Sequence, residues 1–518
     1  PVAFDYDPAP DTFTARAVRH VRTSPDGSHV IFNAAGHLYK KELPDGTPER
    51  LTDDDVLEFE PAFSPDGRKL AYVTWSDTGM GSIRLLRLDK RRAKPETLTT
   101  EKGIFREPSF SPDGKILLFR RESGNNHQGY AYTLHPGIYT MDLDGNTNGS
   151  KDGNKDGNKD GNKDGKGNNA SNKRLIHESG SSPMFNHTGD RIFFRRGTDF
   201  RSVDLNGQDE KTHFYSEYAI DHTPSPDNQW VAFTELYKVY VAPMPVTGSD
   251  LHLHAKTKAI PVAHVAEDAG YNLHWSSDSR TLHWNLGEEL FSVSLEDAFS
   301  FLRGDADAPT GPGDSEGSIG VADSGDSAGT TDSEGSIGVA DSGDSAGTTD
   351  STDSSNLPLG HREGIRLGLE LKTDIPEGTI ALTGAKIITM NGKEVIENGT
   401  IVIRRNRIEA VGTAESVSIP QDAFVMDVDG KTIMPGMVDA HAHIGNFRYG
   451  LSPQQQWHYF ANLAYGVTTA HDPSSNTEMI FSQAEMVRAG TMIGPRIFST
   501  GRILYGAENI QKTVINNL

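Results

Sequence analysis

The sequence runs to 518 residues, with 50 Lys and Arg against 72 Asp and Glu, a formal net charge of −22 and no cysteine. That length exceeds what one hydrophobic core usually organises, so several domains are expected; the acidic surplus disfavours nucleic-acid phosphate and anionic lipid as partners. The missing thiols exclude disulfides, thiolate metal ligands and cysteine nucleophiles, and no run approaches the roughly 18 apolar residues of a membrane-spanning helix. A neutral or cationic small substrate is compatible with the charge. The chain opens on Pro, and no charged-then-apolar leader precedes PVAFDYDP, so the start is expected to be processed or cut.

Turn chemistry repeats through the first 300 residues. SPDG occurs at Ser24, Ser64 and Ser111, with looser forms at Asn186, Ser225 and Ser276. Pro and Gly stand where a tight turn wants them. Each turn precedes a short apolar strand (HVIF, LAYV, ILLF, RIFF, WVAF, TLHW) and then a second one (LYKKEL, IRLLRL, IYTMDL, FRSVDL, VYVAPM, LFSVSL). Start-to-start spacings of 40, 47, 75, 39 and 51 residues fit four-stranded propeller blades, the longest containing an insertion. About six blades are expected over 12–302, with FTARAVRHV after Asp11 offering a strand to close the ring. Phe32, Tyr72, Phe119, Phe194, Phe233 and Trp284 recur once per blade and read as packing residues. These units resemble the TolB-type, WD40-like propeller repeats of periplasmic and secreted bacterial proteins, a resemblance that implies such a location here.

The insertion, 146–171, is the tract KDGNKDGNKDGNKDG. Asp152, Asn154, Asp156 and Gly157 follow the opening order of a calcium loop, but Lys163 stands where the bidentate Glu belongs; a disordered polar tip and weak calcium binding are the two readings. Residues 303–357 form an acidic Gly/Ser/Asp-rich linker. Between Gly304 and Asn356 there are twelve Asp or Glu and no Lys or Arg, and an 18-residue unit is repeated without change from Asp314 and Asp332.

Order returns with TIALTGAKIITMNG, GTIVIRRNRIEAVG and AFVMDVDGKTIMPG, which read as strands and turns over 358–436. MVDAHAHIG then sets His441 and His443 one residue apart after an apolar run. On a strand, period-2 alternation would turn both imidazoles to one side, where they could share an ion. A catalytic zinc-type site takes three protein ligands and keeps one position open, so the pair is part of a site. Beyond it, SPQQQWHYFANLAYG predicts a helix capped by Ser452, with Pro453 at its first position and Gly466 past its end. VTTAHD reads as a strand, TEMIFSQAEMVRAG as a helix ending at Gly490, and RIFSTG as another strand. This β-α-β-α-β run opens a parallel α/β barrel.

TGAKIITMNG, GTIVIRRNRIEAVG, GKTIMPGMVDAHAH, YGVTTAHD and GPRIFSTG resemble, in order, the start of the metal-dependent amidohydrolase superfamily, in particular its imidazolonepropionase-like and prolidase-like members. The resemblance implies a β-sandwich portion (358–436) leading into the first part of a (β/α)8 TIM barrel (437–518), with His441 and His443 as metal ligands for one or two divalent ions, zinc foremost. It implies further ligands and the general base on later strands. A (β/α)8 barrel needs roughly 250 residues, so these are expected beyond Leu518, and the chain is expected to be an inactive N-terminal part of a longer enzyme. His471 stands where the family more often has Arg and reads as a hydrogen-bonded structural residue, as does Asp439; His458 reads as a helix-surface or packing residue.

Two functions compete. The first is hydrolysis of a carbon–nitrogen bond in a non-peptide amide, cyclic amide or dipeptide-like molecule through a metal-activated water, with the propeller gating access or docking a protein partner. The second is a secreted propeller that binds protein or peptide, with a non-catalytic barrel remnant. A propeller peptidase would need a G-x-S-x-G elbow, which the second half lacks.

Overall fold

The computed structural model describes residues 7, 10–122, 135–144, 173–245, 251–266, 268–303, 364–444 and 450–502. The KDGN tract with its calcium reading, residues 304–357 of the linker and everything beyond Arg502 lie outside the described residues. Among those described, no helix is long and apolar enough to cross a membrane.

Six four-stranded antiparallel meanders, here sheets 1 to 6, dominate the first half. Their first strands are Arg19–Thr23, Leu57–Phe63, Phe105–Phe110, Ser181–Phe185, Ala219–Pro224 and Tyr271–Trp275. First strands of neighbouring sheets touch along most of the series, and the sixth touches the first, so they line the inside of a closed ring. This is the propeller arrangement.

The second strand of each sheet is buried on both faces, which is why it reads as an unbroken apolar run instead of an alternating one. Tyr72 of sheet 2 clusters with Ile31 of sheet 1, Phe119 with Ala71, Phe194 with Leu118, Phe233 with Phe193, and Trp284 with Ala232. Phe32 of sheet 1 closes the series against Leu290 of sheet 6. Each ring buries on the order of 1.5–3 kcal/mol of transfer free energy, placed where two sheets meet.

The turns form a second ring at one end. In each SPDG the Ser hydroxyl donates to the Asp carboxylate at 2.6 Å, and the amide five residues beyond the Ser returns to its Oγ. The glycines have φ of +72°, +69° and +70°, a left-handed geometry that costs a side chain energy. Two of them also sit under the preceding turn, a Cβ on Gly67 lying 3.6 Å from Pro25 and one on Gly114 3.7 Å from Pro65, as does Gly189 of the looser fourth turn, 3.3 Å from Pro112. Ser277 Oγ donates to Pro25 O at 2.7 Å and joins the last turn to the first.

Ring closure differs from the expectation. Sheet 6 takes its outer strand from Ile365–Arg366, on the far side of the linker, and Thr12–Thr14 pairs antiparallel with Glu370–Lys372. The stretch after Asp11 therefore supplies the first strand of sheet 1 and a separate two-stranded ladder. The expected boundary at 302 falls inside sheet 6, because Leu367 and Leu369 are buried against Phe32 and hold the returning chain on the ring.

Residues 379–433 form one five-stranded mixed sheet in which Thr379–Ile388 lies between Val395–Arg404 and the parallel strands Phe424–Asp427 and Thr432–Ile433. Among the described residues it is a single layer, and Ile408, Phe424 and Val425 are exposed on it. The last unit is a three-stranded parallel sheet, Met437–Asp439, Val467–Asp472 and Arg496–Ser499, joined through helices Trp457–Ala464 and Thr477–Arg488. It docks on the end of the propeller opposite the SPDG turns. Ala442, Ile444, Leu451, Tyr459, Ile480 and Met486 share one core with Leu57, Phe59, Trp75 and Ile104 of the propeller.

The first of these helices starts later than Ser452. Its N-cap is Gln456, and Ser452 is buried with its hydroxyl unpartnered. Asp77 of the propeller accepts the amides of Gln454 and Gln455 at 3.0 and 2.7 Å, so a carboxylate from another unit takes the donors that a local cap would have satisfied. The second helix follows its sequence signals: Asn476 Oδ1 accepts from Met479 N, and Gly490 follows its end at φ +77°.

Candidate metal centre and the face that covers it

The first parallel strand ends at Asp439, so His441 and His443 lie in the turn just past its C-terminal end and not within the strand. Their rings stand 5.1 Å apart at 81°. Period-2 alternation thus does not set their relation; local hydrogen bonds do. Asp439 Oδ1 accepts the His441 amide at 3.1 Å, the carbonyl of His471 accepts the Ala442 amide at 2.8 Å, and His471 Nδ1 meets Ala440 O at 3.3 Å. His458 is half-buried beside Trp457 on the first helix.

Asp472, which the sequence reading passed over, organises the site from below. It ends the second strand, is 1% exposed, and accepts the amides of Ile444 at 3.2 Å and Ser474 at 3.0 Å. Its Oδ1 is 3.8 Å from His443 Nδ1, while His443 itself is open to solvent. Its place at the C-terminal end of a parallel strand, next to the HxH strand, was the available signal. In donor type the two imidazoles fit a divalent ion of the zinc class. Among the described residues, no three His, Asp or Glu converge on one point.

All three loops at this end of the parallel sheet meet the propeller. From the first, Gly450 O accepts from Arg19 Nη2 at 2.5 Å. From the second comes Glu478, in the first turn of its helix, whose carboxylate faces Asn272, Arg19, Asp221 and Arg502. From the third, Arg502 donates to Tyr237 OH at 3.3 Å.

The propeller residues on this axis form a pattern that sequence reasoning missed. Four residues before the turn Ser or Asn, every sheet carries a polar residue: His20, Glu60, Glu107, Ser182, Asp221 and Asn272. The ladder breaks beside each one, and five of the six have φ between +50° and +56°. Such backbone costs about 1–3 kcal/mol per residue unless its surroundings hold it. Here the side chain of one sheet accepts the amide of the next: Glu60 from Glu107 at 2.7 Å, Glu107 from Ser182 at 2.7 Å, Asn272 from His20 at 3.2 Å. Arg106 pairs with Glu60 and Arg120 with Glu107. Burial pushes the carboxyls of Asp221 and Glu478 up, against the pull of Arg195 and Arg22 on the first and Arg19 on the second.

No family model matches the chain. Fifty-five residues are 46% identical to imidazolonepropionase of Bacillus mycoides (11% of this chain, 13% of that protein). Sixty-one residues are 41% identical to 5-methylthioadenosine/S-adenosylhomocysteine deaminase of Bacillus thuringiensis (12% of this chain, 14% of that protein). The chain thus spans about an eighth of the length of these curated relatives. Among solved structures, TolB from Agrobacterium tumefaciens is similar at 18% identity over 52% of this chain and 93% of its own, TM-score 0.35. A prolidase from Bifidobacterium longum is similar at 28% identity over 26% of this chain and 33% of its own, TM-score 0.22.

Proposed function

We propose that this chain belongs to a metal-dependent amidohydrolase that cleaves a carbon–nitrogen bond in a small amide, cyclic amide or dipeptide-like molecule. The observation that carries the reading is the position of His441 and His443, together at the C-terminal end of the first parallel strand; a 55-residue likeness to imidazolonepropionase supports it. We take the six sheets as six blades and the β-α-β-α-β unit as the first part of a (β/α)8 barrel. Exposed Val438, Trp457 and Tyr465 leave an apolar edge that further βα units would cover. By its resemblance to TolB-type repeats, we place the protein in the periplasm or outside a bacterial cell.

His441 and His443 would hold a divalent ion, zinc by donor type; when bound, it would act as a Lewis acid toward the scissile carbonyl and lower the pKa of water at the site. Asp472 anchors the backbone on which His443 sits, and His471 fixes the turn before it. Gly450, Glu478 and Arg502 meet the propeller mouth, so molecules reach the histidines past the propeller or from the side. The alternative of a free-standing binding propeller is disfavoured by the shared core and by the outer strand that sheet 6 draws from beyond the linker.

The test is the protein that contains this chain, with and without His441→Ala plus His443→Ala. Its metal content and its hydrolytic rate on N-acyl amino acids, cyclic amides and dipeptides should both fall, the rate by at least a hundredfold. An unchanged rate would sink the proposal.

A further inference from the structure

The protein is acidic overall, yet its axis is not. Pointing into the ring or its mouth are Arg19, Arg22, Arg106, Arg120, Arg195 and Arg502 against Glu60, Glu107, Glu122, Asp221 and Glu478. That they face one another across the axis follows from their reach. Asp221 on sheet 5 feels Arg195 of sheet 4, Arg22 of sheet 1 and Glu107 of sheet 3, and Arg19 of sheet 1 feels Arg106 of sheet 3, Glu60 of sheet 2 and Glu478 of the docked unit. Two of these cations are matched by carboxylates: Arg106 by Glu60, and Arg120 by Glu107 and Glu122.

Arg19 forms no such pair. It is 3% exposed, and Nη2 donates to Gly450 O, but Nε and Nη1 have no acceptor, nor has Nε2 of the adjoining His20 a partner. A buried guanidinium with two unanswered nitrogens is costly unless an anion completes it. Glu478 exerts the strongest negative influence on Arg19. Gly450 follows the two histidines in the chain, so an anion on Arg19 would sit beside Gly450 at the propeller mouth.

We propose that Arg19, with His20 beside it, forms an anion site at the propeller mouth that takes the carboxylate of a small acid, so that a propeller residue selects acids among the molecules reaching the His441–His443 loop. The link to catalysis rests on the hydrolase reading above; the binding does not. A planar, permanently charged guanidinium suits a carboxylate.

The experiment is calorimetric titration of the 518-residue chain with N-acetylglycine, N-acetylglycinamide and inorganic phosphate, with circular dichroism as the check on folding. N-acetylglycine should bind saturably, and the amide and phosphate at least tenfold more weakly. Arg19→Gln should weaken N-acetylglycine tenfold or more. Glu478→Gln removes the negative charge facing Arg19 and should tighten binding severalfold, a direction that damage to the fold would not produce. Absence of saturable binding, amide or phosphate binding as tight as the acid, or an affinity unmoved or lowered by Glu478→Gln would each overturn the proposal. His441→Ala plus His443→Ala should leave N-acetylglycine binding intact, so the hydrolase reading can fail while this one stands.

Discussion

His222 offers a sharp test of how the propeller core responds to acid. Its ring lies among Phe200, Phe214 and Phe233 at centroid distances of 5.9, 5.1 and 6.3 Å, and neither ring nitrogen has a partner. Burial, assisted by Arg195, lowers its pKa from 6.5 to about 3. A depressed folded pKa means that the unfolded chain takes up the proton first, so the stability this residue contributes is present above pH 6.5 and is lost as the pH falls toward 3. At pH 4.5 the unfolded histidine lies two units below its pKa and the folded one is still neutral, a differential of about 3 kcal/mol at 1.36 kcal/mol per unit. His222→Leu fills a similar volume with no group to protonate. Urea titrations followed by circular dichroism at pH 8 and pH 4.5 should show the variant gaining about 3 kcal/mol on the parent between the two conditions. His37, His213 and His283, each lowered to about 4 by burial, titrate in both proteins and cancel in the comparison. A gap between the two proteins that is the same at both pH values would refute the reasoning.

Residues 1–302 expressed alone should melt without a cooperative transition, whereas 1–376 should show one, because only the longer piece carries Ile365–Arg366 and Glu370–Lys372; matching melts would contradict the closure described. Gly36→Ala should cost about 2–3 kcal/mol, since Gly36 has φ +88° and a Cβ would stand 2.8 Å from Leu57 Cδ2 and 3.2 Å from Met486 Cε. A thermal shift within error would refute it. Asp77→Ala removes the acceptor of the Gln454 and Gln455 amides and should weaken docking by about 2–3 kcal/mol, read as faster hydrogen exchange at those two amides.

The propeller was legible because one local motif does two jobs. SPDG is at once the turn that reverses the chain and the contact by which Pro25 meets Gly67 of the next sheet, so its repetition announces both strand and ring. The helix Thr477–Arg488 was legible for the same reason, its cap lying within its own sequence. What escaped was set by distant partners. Ser452 looked like a cap, but Asp77 holds that segment from 375 residues away. The outer strand of sheet 6, Ile365–Arg366, is two residues long, and two residues carry no period. His441 and His443 were visible as a pair, but their orientation depends on Asp472 and His471 of the neighbouring strand. The polar residue four positions before each turn escapes notice in the sequence, since five residue types over six positions do not look like a repeat.

The late arrival of Ile365–Arg366 has a consequence for how the molecule is made. Sheets 1 to 5 draw all their strands from consecutive stretches and can assemble as the chain emerges from the ribosome, N-terminal sheets first. Sheet 6 cannot finish until the whole acidic segment has been translated, and until then Leu290 and Phe32 wait without Leu367 and Leu369. A nascent ring held open for so long exposes a strand edge and an apolar seam, the features that recruit a second chain. The dense run of negative charge translated during the same interval would keep two half-made molecules apart.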